Sequence, residues 1–340
     1  MRSCYHFAFL LFFQSFFACG QVSEKAQLAS LNVAFANNQQ MPEKTQPETT
    51  NIVFRSADGG QTWQDISAGL PADMDMQADV FFANDHELYA SAEHGLYRSS
   101  TATAAPAWER ELFLGDHTPN LCPSRTGLFA FDYRGHFFQK INGMSLWLPV
   151  YTNFQGHHVR TIFENPDGTV FVGCDNGIFK STDQGKTWKH VFENGWVMKI
   201  VESNGVLLCT NEQGILRSTD GGEHWEVVLS EGGVGISVER IASGFAAITY
   251  NTESETRRIR TSADGGKTWQ PIDTDLPPHA AIASIVQVGQ YFFCGHPDGI
   301  FRSADQGKTW TLILPSIGKK VFNLSVSGKI IYAVPRDGGC

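Results

Sequence analysis

Five aspartates recur in one frame, Ser-x-Asp-x-Gly-x-Thr-Trp, at Asp58, Asp183, Asp220, Asp264 and Asp305, with His224 replacing the threonine in the third copy. Carboxylates repeated in this way could coordinate a hard cation or divide into a general acid and a general base. Their neighbours point to a different use. Asp accepts hydrogen bonds from turn amides, Ser and Thr tie down hairpin ends, and Gly supplies a positive φ that other residues resist. Trp63, Trp188, Trp225, Trp269 and Trp310 close the five motifs with a large ring suited to packing between repeated units. These aspartates read as turn-builders, and any chemistry belongs elsewhere.

The elements that carry the motif follow from its spacing. Trp63, Trp108, Trp147, Trp188, Trp225, Trp269 and Trp310 stand roughly forty residues apart, the period of a propeller blade. The second and third units are eroded: Leu96-Tyr97-Arg98-Ser99 leads to Trp108, and Phe137-Phe138-Gln139-Lys140 leads to Trp147. Within the fourth unit, short apolar or alternating runs cover 158–164, 169–173, 177–181 and 187–192, with Asp-Gly, Asn-Gly and Gly-Lys turns between them. The expected fold is all-β, a seven-bladed β-propeller of four-stranded antiparallel blades. The runs 321–327 and 330–334 stop where a third strand should begin, and Ile52 to Ser56 supplies it. One blade is therefore expected to be composite, its inner strands from the C-terminus and its outer strands from the N-terminus.

In such a blade the Asp boxes join the third and fourth strands, so the second-to-third turns lie at the opposite end. Those turns carry Glu93, His94, Asp132, Tyr133, Arg134, Asp175, Glu212, His296, Asp298, Arg336 and Asp337. A turn demands only Gly or Asn, so this charge makes the rim a candidate ligand surface. Arg160, Lys199 and Arg240 on inner strands are expected at the channel mouth, and Tyr133 or Trp196 could stack on a sugar ring. Acidic pairs, Asp175 with Asp298 or Asp73 with Asp75, are the candidates for acid and base in an alternative glycosidase reading. No metal or other cofactor is expected. Cys174, Cys209 and Cys294 end apolar runs and read as small core residues, without ligand spacing, and the adjacent His157 and His158 point to opposite sides of a strand. Cys122 and Cys340 have no role legible at this stage.

The chain ends set the context. Residues 1–20 read as an export signal, with Arg2, an apolar run from Ala8 to Phe17, and Ala18-Cys19-Gly20. Phe16-Phe17-Ala18-Cys19 resembles a lipobox, which makes Cys19 the candidate lipidation site. Cleavage before Gln21 is the alternative. Residues 21–50 are polar and form a flexible tether, and 51–340 form the propeller. A formal net charge of -9 argues against nucleic acid as a partner. The expectation is a monomeric extracytoplasmic protein, either secreted or tethered to the bacterial envelope by a lipid anchor.

The repeated motif resembles the Asp-box repeat of bacterial sialidases, oligoxyloglucan hydrolases, sortilin-type receptors and photosystem II assembly-factor propellers. The resemblance covers most of the chain after residue 50. It implies that the boxes lie away from the ligand face. It argues against sialidase activity, because the Arg-Ile-Pro segment of that family is missing and its propellers have six blades. Oligoxyloglucan hydrolases place their catalytic aspartates between two propellers, and one is present here. The assembly factors are single exported seven-bladed propellers without catalysis. That likeness implies a non-catalytic scaffold for a protein or glycan partner in the envelope.

Overall fold

The computed structural model describes residues 51–71, 74, 80–92, 95–103, 107–113, 115, 119–152, 154 and 156–337. The strands form seven four-stranded antiparallel sheets. Blade 1 comprises Val321–Ser327, Ile330–Arg336, Phe54–Ser56 and Gln64–Asp65. Blade 2 comprises Val80–Ala83, Glu87–Ala92, Gly95–Ser100 and Glu109–Arg110. Blade 3 runs Asn120–Ser124, Gly127–Phe131, Phe137–Ile141, Leu148–Val150, and blade 4 runs Val159–Glu164, Val170–Cys174, Gly177–Ser181, Lys189–Phe192. Blade 5 runs Ile200–Ser203, Val206–Asn211, Gly214–Ser218, Glu226–Leu229. Blade 6 holds Gly232–Ile241, Gly244–Asn251, Thr256–Ser262 and Gln270–Pro271. Blade 7 holds Ser284–Val288, Tyr291–His296, Gly299–Ser303 and Thr311–Pro315.

Blade 1 is composite, as the sequence predicts. Phe54 pairs with Ala333, Arg55 with Tyr332 and Ser56 with Ile331, so N-terminal strands complete a C-terminal sheet. Closure leaves no blade without two neighbours, which removes the free faces an open array would expose.

The core is distributed over the seven blade junctions, and each regularly spaced tryptophan belongs to the junction with the preceding blade. Trp63 packs in the cluster of Phe293, Ile300 and Phe322, Trp225 beside Phe171, Ile178 and Leu207, and Trp310 beside Ile259, Ile272 and Phe301. Trp108 and Trp147 do the same in the two eroded blades. The forty-residue period thus places one large ring at each seam.

Each box is a closed hydrogen-bond circuit. Asp264 Oδ1 accepts from the Ser262 hydroxyl (2.8 Å), Lys267 N (3.0 Å) and Thr268 N (2.9 Å), while Oδ2 accepts from the Thr268 hydroxyl (2.7 Å). Ser262 Oγ in turn accepts from Gly266 N at 2.9 Å. In four of the five boxes the second glycine also meets the preceding blade. At Gly222, φ is +83° and a Cβ would lie 2.4 Å from Phe171, so only hydrogen fits. A basic residue just before the box serine then ties one blade to the next box. Arg217 Nε donates to Gly265 O (2.7 Å), and Arg302 Nη1 donates to Gly59 O (3.0 Å) across the closing seam.

Blades 2 and 3 lack the box and hold their seam differently. Lys140 stands where a box serine would be and is buried. Its Nζ donates to Glu111 Oε1 (2.6 Å) and to the Tyr89 hydroxyl (2.9 Å), and Trp147 Nε1 donates to the same Glu111 oxygen (3.2 Å). A buried ion pair takes the place of the turn circuit built on a box carboxylate. Cys122, Cys174, Cys209 and Cys294 are free thiols packed in blade junctions. Burial pushes the Cys174 thiol up to about 12, so it packs as a neutral group. Cys19 and Cys340 lie outside the described residues.

Candidate functional site

Antiparallel order sends the second-to-third turns and the links between blades to one end of the ring. The first-to-second turns and the boxes occupy the other end. At the first end, side chains from two blades and the following link meet around Asp175. The Tyr133 hydroxyl, from the turn of blade 3, donates to Asp175 Oδ2 at 2.6 Å. Arg160, in the first strand of blade 4, pairs through Nε with Asp175 Oδ1. Arg160 sits where the pairing of the first two strands shifts between Val159 and Thr161. An extra residue of that kind re-aims a side chain.

Three rings complete the cluster. The Arg160 guanidinium carbon lies 5.5 Å from the Tyr133 ring centre and 5.7 Å from that of Trp196. His158 stacks on Tyr133 with centroids 4.6 Å apart and planes 16° apart. The Trp196 segment is itself anchored, because buried Asn211 donates through Nδ2 to Asn194 O (3.0 Å) and Trp196 O (3.1 Å). Tyr133 remains 46% exposed, so the stack is a surface feature with one open face. Partial burial raises the Asp175 pKa, but hydrogen bonds from Tyr133 and Arg160 and the Arg160 charge outweigh it and hold the carboxyl below its usual range. The bond to Asp175 in turn raises the Tyr133 pKa. The cluster at neutral pH is therefore a fixed carboxylate, a cation and a neutral phenol.

The other sequence-derived rim residues divide. Asp132 is buried and caps its own turn, accepting from Arg134 N (2.9 Å), His136 N (3.0 Å) and His136 Nδ1 (2.8 Å). His296 is also buried: its Nε2 donates to Pro277 O (2.9 Å) and its Nδ1 accepts from Asp298 N (3.1 Å). Burial lowers its pKa, which fits the neutral tautomer that this pinning requires. Lys199 pairs with Glu239. The exposed Glu212 lies beside Gly195, in the segment that carries Trp196. Arg336 ends the second strand of blade 1, with Asp337 following, and Arg134 and Asp298 project to solvent. Asp175 and Asp298 belong to blades 4 and 7, which are not neighbours in the ring.

Arg240 departs from its expected place. It lies beside Ile241 and Ala242, at the end of the first strand of blade 6, with the turns of Asn204 and Gly289. A ten-residue first strand carries it to the box end of the ring, away from Arg160. Glu93, His94, Asp73 and Asp75 lie outside the described residues. Among the described residues no group of three or more His, Cys, Asp or Glu side chains is placed to hold a metal ion. In the sequence His158 reads only as one of an adjacent pair on a strand; it lies just before Val159–Glu164, and its stacking role depends on Tyr133, one blade away.

The BNR/Asp-box repeat family matches residues 179–190, the box of blade 4. The chain carries an Asp-box repeat on a seven-bladed β-propeller. No curated protein matches its sequence. Among solved structures, this propeller is similar to the GH74 xyloglucanase from Xanthomonas campestris, at 14% identity and a TM-score of 0.59 over 81% of this chain and 53% of that one. The propeller thus spans about half of that enzyme's length. It is also similar to YCF48 from Cyanidioschyzon merolae (11% identity, TM-score 0.56, 78% of this chain and 97% of that one). A third relative is YCF48 bound to D1 peptide (13% identity, TM-score 0.53, 78% and 96%). At these identities the likeness is one of fold.

Proposed function

We propose that this Asp-box β-propeller is a non-catalytic binding module that takes a protein or glycan partner on the rim carrying Tyr133, His158, Arg160, Asp175 and Trp196. The observation that carries the reading is the stack of Arg160 between Tyr133 and Trp196, anchored by Asp175. Rigid aromatic rings interleaved with a positioned arginine are the groups that dominate recognition surfaces. Asp175 is poorly suited to donate a proton, because a general acid working near neutral pH needs a raised pKa and this carboxyl is lowered. The likeness to YCF48, solved once with a D1 peptide and matched over nearly its whole length, supports a polypeptide partner. The xyloglucanase likeness supports a glycan, over half of that chain. In this reading the leader exports the protein, Cys19 carries a lipid, and the propeller works as a monomer in the envelope.

Affinity capture from envelope extracts and a glycan array test it together. Wild-type protein is expected to retain a partner that Trp196→Ala and Arg160→Ala lose at unchanged melting temperature. Truncating such anchors typically weakens binding by about 2 kcal/mol or more. Retention of the same partner by both variants would contradict the assignment.

A further inference from the structure

A second surface lies at the box end of the ring, away from the rim. Two cavities of about 630 and about 510 Å³ adjoin there, sharing Ala242 and Gln287, and together make one groove over blades 5, 6 and 7. Each is of the size that ordinary ligand sites occupy.

The lining is rich in donors and poor in carboxylates. Arg240 borders one cavity and Lys308 the other, both exposed, and neither side chain has a hydrogen-bond or ion-pair partner among the described residues. Asp305, the one acid in the lining, is a carboxylate whose two oxygens are both held by its box: Oδ1 accepts from the Ser303 hydroxyl (2.8 Å) and Thr309 N (2.9 Å), and Oδ2 from the Thr309 hydroxyl (2.7 Å).

Four primary amides line the groove beside these cations: Asn204, Gln287, Gln290 and Gln306. Gln287 Oε1 accepts from Ala242 N at 2.7 Å, which fixes the amide and leaves its N–H groups for a ligand. Gln306 holds a left-handed φ of 62°, where the boxes of blades 1, 5 and 6 have an unstrained glycine. The aromatic ring in the lining, Phe292, is buried, so the groove offers no exposed platform for a pyranose ring. Side-chain amides instead match the donor and acceptor of a peptide unit.

We propose that this groove binds an extended acidic peptide segment of a partner protein, its carboxylates paired with Arg240 and Lys308 and its backbone hydrogen-bonded by the four amides. The site is independent of the rim, so either assignment survives failure of the other.

A fluorescein-labelled ten-residue oligo-glutamate, titrated into the whole protein at low ionic strength and read by anisotropy, is the direct test. Saturable binding is expected, weakened by added salt and by about tenfold or more in the Arg240→Gln, Lys308→Gln double variant. Tyr133→Ala is expected to leave it unchanged. On the wild-type protein, unlabelled oligo-glutamate should compete and oligo-glutamine should not, which reads the charge requirement without any substitution. Absence of saturable binding, or binding indifferent to the double variant, would overturn the proposal. So would preference for oligogalacturonate over oligo-glutamate, since the groove would then be a glycan site.

Discussion

At the residue scale, the box aspartates are structural acids, and acid should expose that role. The hydroxyl and amide of Thr62 hold Asp58 down to about 2, those of Thr187 do the same for Asp183, and the Thr309 amide and hydroxyl hold Asp305 at about 2. A carboxyl depressed in the folded state stabilises fully above its unfolded pKa of about 4 and loses that contribution as pH falls toward 2. The melting-temperature gap between wild type and Asp305→Asn is therefore expected to close as pH drops from about 4 to about 2. A gap independent of pH would contradict the circuit. Gly222→Ala is expected to cost about 1–3 kcal/mol in urea unfolding, because the new methyl meets Phe171 and φ is left-handed. Lys140→Met removes the nearer of the two cations on Glu111, leaving Arg98 at 3.5 Å, and is expected to cost about 1–3 kcal/mol. A near-neutral result there would mean that water reaches Glu111.

At the scale of elements, the seams decide stability. Every blade leans on the one before it through a tryptophan and, in four blades, through the second glycine of a box. Among the described residues blade 1 alone lacks chain continuity between its inner and outer strands, since Phe54–Ser56 must find Ile330–Arg336 from the far end of the sequence. Removing residues 51–66 is expected to leave Ile331 and Tyr332 without their neighbouring strand and to convert a cooperative melt into an aggregating one. A monomeric, cooperatively melting truncation would show that closure contributes little. This architecture was legible in the sequence because it rests on local signals: box, tryptophan period, hairpin turns. Even the composite blade could be read from where the last unit stops. The eroded seam was not legible, because Lys140, Tyr89 and Glu111 are distant in sequence and meet only across blades 2 and 3.

At the scale of the whole molecule, the two ends of the ring differ in chemistry. One carries a carboxylate, a cation and three rings assembled around Asp175. The other carries free cations and amides above a row of engaged aspartates. Sequence indicated the first end by its charged turns, yet it could not separate Asp132 and His296, consumed in holding their own turns, from Tyr133 and Asp175, which reach toward each other. It placed Arg240 at the wrong end, since only the length of the first strand of blade 6 determines where that side chain emerges. The central claim is that the rim binds without catalysing. The most direct measurement is hydrolysis of xyloglucan oligosaccharides and sialosides by the purified propeller at high enzyme concentration, with Asp175→Asn as control. No turnover above the control is expected, and turnover that Asp175→Asn abolishes would contradict the account.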